Sequence, residues 1–239
     1  MSSRLLATAV AVATLTFALS PLATTGFNGF TPAQFPVPQL DPPVQPAGYA
    51  FSIWGVIYLW LIIGAGYGLL RAAGDPDWQA MRWPLAISLI IGTFWIAAAN
   101  VTPILATVMI VVMAVAAITA MLRAGQSRPW MQVRPVALYA GWLTAASGVA
   151  IGVLLGGYAV LSSQGAALLC LALVLVAALA VQSARPREWG YPAAIVWALV
   201  GVIVANLPGP NLPVIALATL GIAALTLRAV QSVMKETIA

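Results

Sequence analysis

Six aromatic residues carry the side chains best suited to recognition in this chain. Phe51, Trp54 and Tyr58 lie in the uncharged stretch PAGYAFSIWGVIYLW, residues 46–60, and with Leu61 they are spaced 3, 4 and 3 apart. That spacing places them on one stripe of a helix. Trp95 lies in a later apolar segment, and Tyr139 and Trp142, three residues apart, lie in another. Indole N–H and phenol O–H groups donate hydrogen bonds from the edge of a flat apolar ring. Their chemistry is stacking and hydrogen bonding, with no bond made or broken. If these rings converge, they line a cavity for a flat, largely apolar ligand. The same stripe without a ligand is helix–helix packing. Asn100 and Asn206 close two apolar segments just before VTP and LPGP. They are turn residues beside proline, or else the polar rim of an outward-facing pocket.

Other chemistry is poorly served. The chain has no histidine, and its single cysteine, Cys170, sits in an apolar run. Histidine-held metal or haem and an internal disulfide are excluded. There is no Ser–His arrangement, no intramembrane carboxylate pair and no phosphate-cradling glycine motif with a lysine. These absences argue against an enzyme, and no cofactor is required. The interiors of the apolar segments lack Asp, Glu, Lys and Arg, which argues against a proton- or sodium-driven pump.

The elements that must position the rings are set by composition. Of 239 residues, 62% are hydrophobic and 6% charged, and the mean hydropathy is +1.01. A soluble domain carries about 25% charged residues. Eight apolar segments stand out, at roughly 5–22, 49–70, 83–100, 103–122, 136–157, 165–182, 192–207 and 213–231. Most have the length a bilayer core of about 30 Å demands of a helix. Runs this long exclude a membrane β-barrel. The fold class expected is all-α: a polytopic transmembrane helical bundle of about eight spans.

Charge fixes the orientation expected. Arg4, Arg71, Arg82, Arg123, Arg128, Arg134, Arg185, Arg187, Arg228 and Lys235 all fall on one side of such a bundle, and the opposite connections hold no cation. The positive-inside rule then makes the protein a multi-pass inner-membrane protein with both termini cytoplasmic. The net charge of +5 is accounted for by topology and anionic membrane lipid, so no nucleic-acid partner is needed. The first segment also has the make-up of a signal peptide, whose cleavage would leave seven spans.

The proline-rich connection 23–48, with Asp41 its one charge and Phe27, Phe30 and Phe35 its rings, is either a lid packed over the helix ends or an interfacial loop among headgroups. Trp78, Trp83, Trp130 and Trp189, with Tyr191, form an aromatic belt at the basic ends; Trp54, Trp60, Trp95, Trp142 and Trp197 lie within spans. Gly64 and Gly68 make a GxxxG pair, and Gly141, Ala145, Gly148, Gly152 and Gly156 form a small-residue row. Such rows bring helices close together.

The proline-led loop followed by Phe51, Trp54 and Tyr58, in the form F-x-x-W-x-x-x-Y, resembles the second-helix signature of the tryptophan-rich sensory protein or translocator protein (TspO/MBR) family. RPVALYAGWLTAA, residues 134–146, resembles that family's fifth helix at Pro135, Tyr139 and Trp142. The likeness covers about residues 1–157. It implies a five-helix bundle, often dimeric, with a pocket beneath the loop between its first two helices. That pocket binds porphyrins and other flat hydrophobic ligands. Here it would draw on Trp54, Tyr58, Trp95, Tyr139 and Trp142, with Phe51 on the same stripe and Asn100 at the rim. The expected organisation is a TspO-like bundle over 1–157 and three additional transmembrane helices over 158–239. The family's asparagine further along the fifth helix has no counterpart, since that region holds Val149 and Ala150. The expected function is a sensory receptor or carrier for a tetrapyrrole-like ligand. The alternatives are an exporter of a small neutral or amphipathic solute and a ligand-free assembly subunit. Its partners would be membrane lipid, a hydrophobic small molecule and a second copy of the chain.

Reporter fusions test the topology. Alkaline phosphatase fused at the C-terminus should be inactive and a fluorescent protein there bright, with the reverse for fusions in 158–164; active phosphatase at the C-terminus would refute the orientation.

Overall fold

Proline and short polar connections divide the chain into helices. The computed structural model describes residues 2–24, 27 and 29–238, and the side chains of 233 and 235–238 are not described. Of the loop and termini considered above, Met1, Thr25, Gly26, Asn28 and Ala239 lie outside the described residues, as does the Lys235 side chain. The described helices are α1 (Ser3–Leu19), α2 (Ile53–Leu70), α3 (Pro76–Val101), α4 (Pro103–Arg123), α5 (Val133–Gly157), α6 (Ser163–Ala184), α7 (Gly190–Ala205) and α8 (Leu212–Ile238). No strand occurs among the described residues. Seven helices are long and apolar enough to cross a membrane, and α7 is a shorter apolar helix. The chain is a polytopic helical bundle, as its hydropathy predicts.

The helix ends follow local chemistry. Asp75 caps α3 by accepting from Asp77 N at 2.9 Å, and Pro76 occupies the first helical position. α3 therefore starts seven residues before the apolar segment predicted at 83. Ser162 caps α6 in the same way, accepting from Gly165 N at 3.1 Å. Thr102 precedes a proline and is held extended, at φ −134° and ψ 105°, which breaks α3 from α4 and turns them into a hairpin.

α5 is the spine of the bundle. It packs against α4, α6 and α7 and touches α2, while α1 packs on α2 and α3, and α8 covers α6 and α7. The turn at 158–162 thus joins helices that pack on one another. Two glycines of α5 admit close neighbours. Gly141 faces the Tyr191 carbonyl of α7, and Gly148 faces the Val174 side chain of α6. A Cβ at either position would collide with those atoms.

A cation is buried at the arginine-rich end, called here the basic end. Arg82 of α3 is 2% exposed. Its guanidinium donates to Ala72 O at 2.7 Å, Ala73 O at 2.8 Å, Gly68 O at 3.1 Å and Ser3 O at 3.4 Å. Three of these carbonyls belong to the last turn of α2 or the residues just after it, where helix carbonyls lack intrahelical donors. The cation also complements the negative end of the α2 dipole. Arg82 therefore joins α1, α2 and α3 at one point. Replacing Arg82 by Met leaves those carbonyls unbonded in an apolar setting, at a cost of roughly 3 kcal/mol. The Arg82→Met protein should show a lowered thermal midpoint in detergent, and Arg4→Gln, at an exposed position, should not. Equal midpoints for Arg82→Met and the parent would contradict this role.

Candidate functional site

The site begins with the connection between α1 and α2. Its prolines limit regular structure to short 3₁₀ turns, among them Pro32–Gln34 and Gly48–Ser52, so other backbone groups need partners outside the segment. They find them at the helix ends opposite the basic end. Val37 N donates to Gly157 O at 2.9 Å and Ala47 N to Gly201 O at 3.0 Å. Asn206 Nδ2 donates to Pro43 O at 2.9 Å and to Val202 O at 2.8 Å. Gln34 Nε2 donates to Ala99 O at 2.8 Å, and Ser163 Oγ to Gln39 Oε1 at 3.1 Å. Phe35 and Val44 are buried. The segment is a strap tied to α3, α5, α6 and α7, which is the lid reading of the sequence.

The small-residue row of α5 explains the seat. Sequence spacing assigns the whole row to helix–helix contact. In the structure its first part does that work, while its last part chiefly seats the strap and Gly156 also meets Ser163 of α6. Gly152 lies against Val44, Gly156 against Gln39 and Gly157 against Phe35, and Gly201 of α7 lies against Pro46 and Ala50. The glycines give the strap a channel along α5 and α7. Trp197 Nε1 then donates to Ala50 O at 2.8 Å, fixing the strap where it enters α2.

Below the strap the rings converge. Trp54 stacks on Tyr58 with centroids 5.2 Å apart and planes at 19°. Trp142 stands edge-on to Phe51 at 6.0 Å and to Trp54 at 6.1 Å. Phe27 of the strap meets Trp95 at 4.8 Å. Phe17 of α1 touches Trp54, Tyr58 and Tyr139 at 5.8, 5.2 and 5.6 Å. These contacts surround two adjoining hollows. One, of about 50 Å³, is walled by Phe30, Gln45, Phe51, Trp54, Trp95 and Trp142 among others. The other, of about 180 Å³, adds Phe17, Tyr58, Met113 and Leu143. Phe27, Phe51, Trp54, Trp95 and Ile110 line both, so the two are lobes of one compartment.

The predicted residues divide. Phe51, Trp54 and Trp95 wall both lobes, Trp142 the first and Tyr58 the second. Tyr139 is fully buried and stands behind the wall, its Oη 2.9 Å from Ser88 Oγ. Ser88 Oγ donates to Met113 O at 2.9 Å, so it accepts from the phenol. Asn100 sits at the exposed end of α3 and belongs to neither lining. Asn206 holds the strap and does not rim a pocket. Sequence reading missed Phe17 and Gln45. Nothing local distinguishes Phe17 from an ordinary span residue, and Gln45 is one polar residue among prolines.

No charged side chain lines either lobe among the described residues. The donors decide what the compartment can hold. Trp95 Nε1 is satisfied by Ala106 O at 2.8 Å. Trp142 Nε1 is buried with no hydrogen-bond partner among the described residues. A buried donor without an acceptor is costly, and a native site that keeps one calls for an explanation. Trp142 and Gln45 both line the first lobe, so an indole and an amide belong to its otherwise apolar wall.

Fold and site together define a multi-pass helical membrane protein with a ring-walled compartment roofed by a strap. The TSPO-like protein family profile matches residues 5–231, and the chain belongs to that family. The match continues past residue 157, where the recognised motifs stop, through α6 and α7 and into α8. No curated protein and no solved structure matches the chain.

Proposed function

We propose that this protein is an inner-membrane receptor or carrier, with both termini cytoplasmic, that binds a flat hydrophobic ligand of tetrapyrrole type in the compartment beneath the strap. The observation that carries this reading is the unpartnered Trp142 indole N–H on the wall of a hollow made of aromatic rings. Family membership supports it. The ligand lies against the faces of Trp54, Phe51 and Trp95, and an acceptor at its edge takes the Trp142 hydrogen bond. Binding then satisfies a donor that the empty protein leaves bare. No covalent step is involved. The strap covers the ligand from the side opposite the basic end, so exchange requires the strap to lift or the ligand to pass between helices.

Titration of the detergent-solubilised full-length protein with protoporphyrin IX, followed by tryptophan quenching, tests this reading. Trp54→Ala removes a stacking face and should weaken binding about tenfold. Trp142→Phe keeps a ring but deletes the donor and should weaken it about threefold to tenfold. Undiminished affinity in both variants, or no saturable quenching in the parent protein, would overturn the proposal.

A further inference from the structure

A second aromatic group lies at the basic end, apart from the compartment. Trp60 of α2, Trp130 before α5 and Trp189 before α7 form a triangle with centroid distances of 5.8, 6.2 and 5.9 Å. Trp60 Nε1 donates to Trp130 O at 2.7 Å and fixes one edge. Trp130 is 57% exposed and Trp189 41%. Sequence reading separates these residues, with Trp60 inside a span and the other two in a belt. The structure brings them together around Arg134, the second residue of α5. Its guanidinium carbon lies 4.2 Å from the Trp130 ring centroid and 5.9 Å from that of Trp189.

Ring faces alone engage this guanidinium: among the described residues no carboxylate pairs with it and no carbonyl accepts from it. Stacking occupies the flat face and leaves the in-plane N–H fork unused. The adjacent acid, Glu188, is buried and accepts from Gln126 Nε2 at 3.0 Å. α5 and α7 both begin here, and Gly190 lies against the Arg134 carbonyl. Two positive helix ends therefore flank the cation and favour an anion beside it. The exposed apolar side chains Val56 and Leu59 precede Trp60 along α2, on its side away from the basic end.

We infer that Arg134, with Trp130, Trp189 and Trp60, is a binding site for the phosphate of an anionic phospholipid. The guanidinium fork takes two phosphate oxygens. The indoles sit at the level of the headgroup and glycerol, the depth such rings favour. The acyl chains run along Val56 and Leu59, toward the middle of the bundle. A lipid fits better than phosphate from solution because the cation is set among exposed rings and aliphatic side chains, which free phosphate leaves uncovered. The site is separate from the ring-walled compartment and does not depend on the ligand proposed for it.

Native mass spectrometry of the full-length protein in detergent, with phosphatidylglycerol or phosphatidylcholine at equal concentration, provides the test. The parent protein should retain phosphatidylglycerol about tenfold better than phosphatidylcholine. Arg134→Gln should abolish that preference, Arg134→Lys should reduce it, and Arg71→Gln, an exposed cation elsewhere, should leave it unchanged. Excess inorganic phosphate should not displace the lipid. Equal retention of the two lipids by the parent, undiminished preference in Arg134→Gln, or displacement by phosphate would overturn the inference. If Arg134→Gln does not purify as a folded protein, undiminished preference in Arg134→Lys overturns it instead, because lysine keeps the charge but loses the fork and the stack.

Discussion

A segment without α-helix that packs into a membrane bundle must satisfy its backbone polar groups there, because the hydrocarbon offers them no partner. The strap between α1 and α2 meets that demand, and much of the molecule is arranged around it. Its N–H groups at Val37 and Ala47 reach the carbonyls of Gly157 and Gly201. Its carbonyl at Pro43 is taken by Asn206. Those bonds form only because α5 and α7 present glycines along the strap's path, so that Phe35, Gln39, Val44 and Pro46 lie close to the helix backbones.

The position of α2 and of the rings follows from this seat. The strap delivers the chain into α2 at Ala50, which Trp197 holds by its carbonyl. Phe51, Trp54 and Tyr58 then face α1 and α5. Their stripe does not close against aliphatic side chains. It meets Phe17, Trp95 and Trp142. The compartment lies among these rings beneath the strap.

Much of the fold was legible because bilayer constraints write themselves into composition. Apolar run length and the one-sided placement of cations define the spans and their alternation. Asp75–Pro76 and Thr102–Pro103 mark helix boundaries by known local chemistry. The ring stripe at Phe51, Trp54 and Tyr58 was equally plain. What a one-dimensional pattern does not reveal is the neighbour a residue meets. The glycine row of α5 has a single spacing but two kinds of partner, helices at Gly141 and Gly148 and the strap from Gly152 onward. Tyr139 shares the spacing of Trp142, yet Ser88 holds it behind the wall. Arg82 lies one residue outside a predicted span and is nonetheless buried, because capping by Asp75 starts α3 early and turns the guanidinium onto the end of α2.

The seating of the strap on α5 is therefore the claim on which the compartment rests, and a cross-link measures it directly. A Cβ built at Gly152 falls 3.4 Å from the Val44 Cβ, close to the separation of a disulfide-bonded pair, about 3.8 Å. With Cys170 replaced by Ala, the double variant Val44→Cys/Gly152→Cys should oxidise to a single intramolecular disulfide, seen as loss of maleimide labelling and a linked peptide after proteolysis. If both thiols stay free and fully labelled under oxidant, the strap is not seated there and the roofed compartment does not exist.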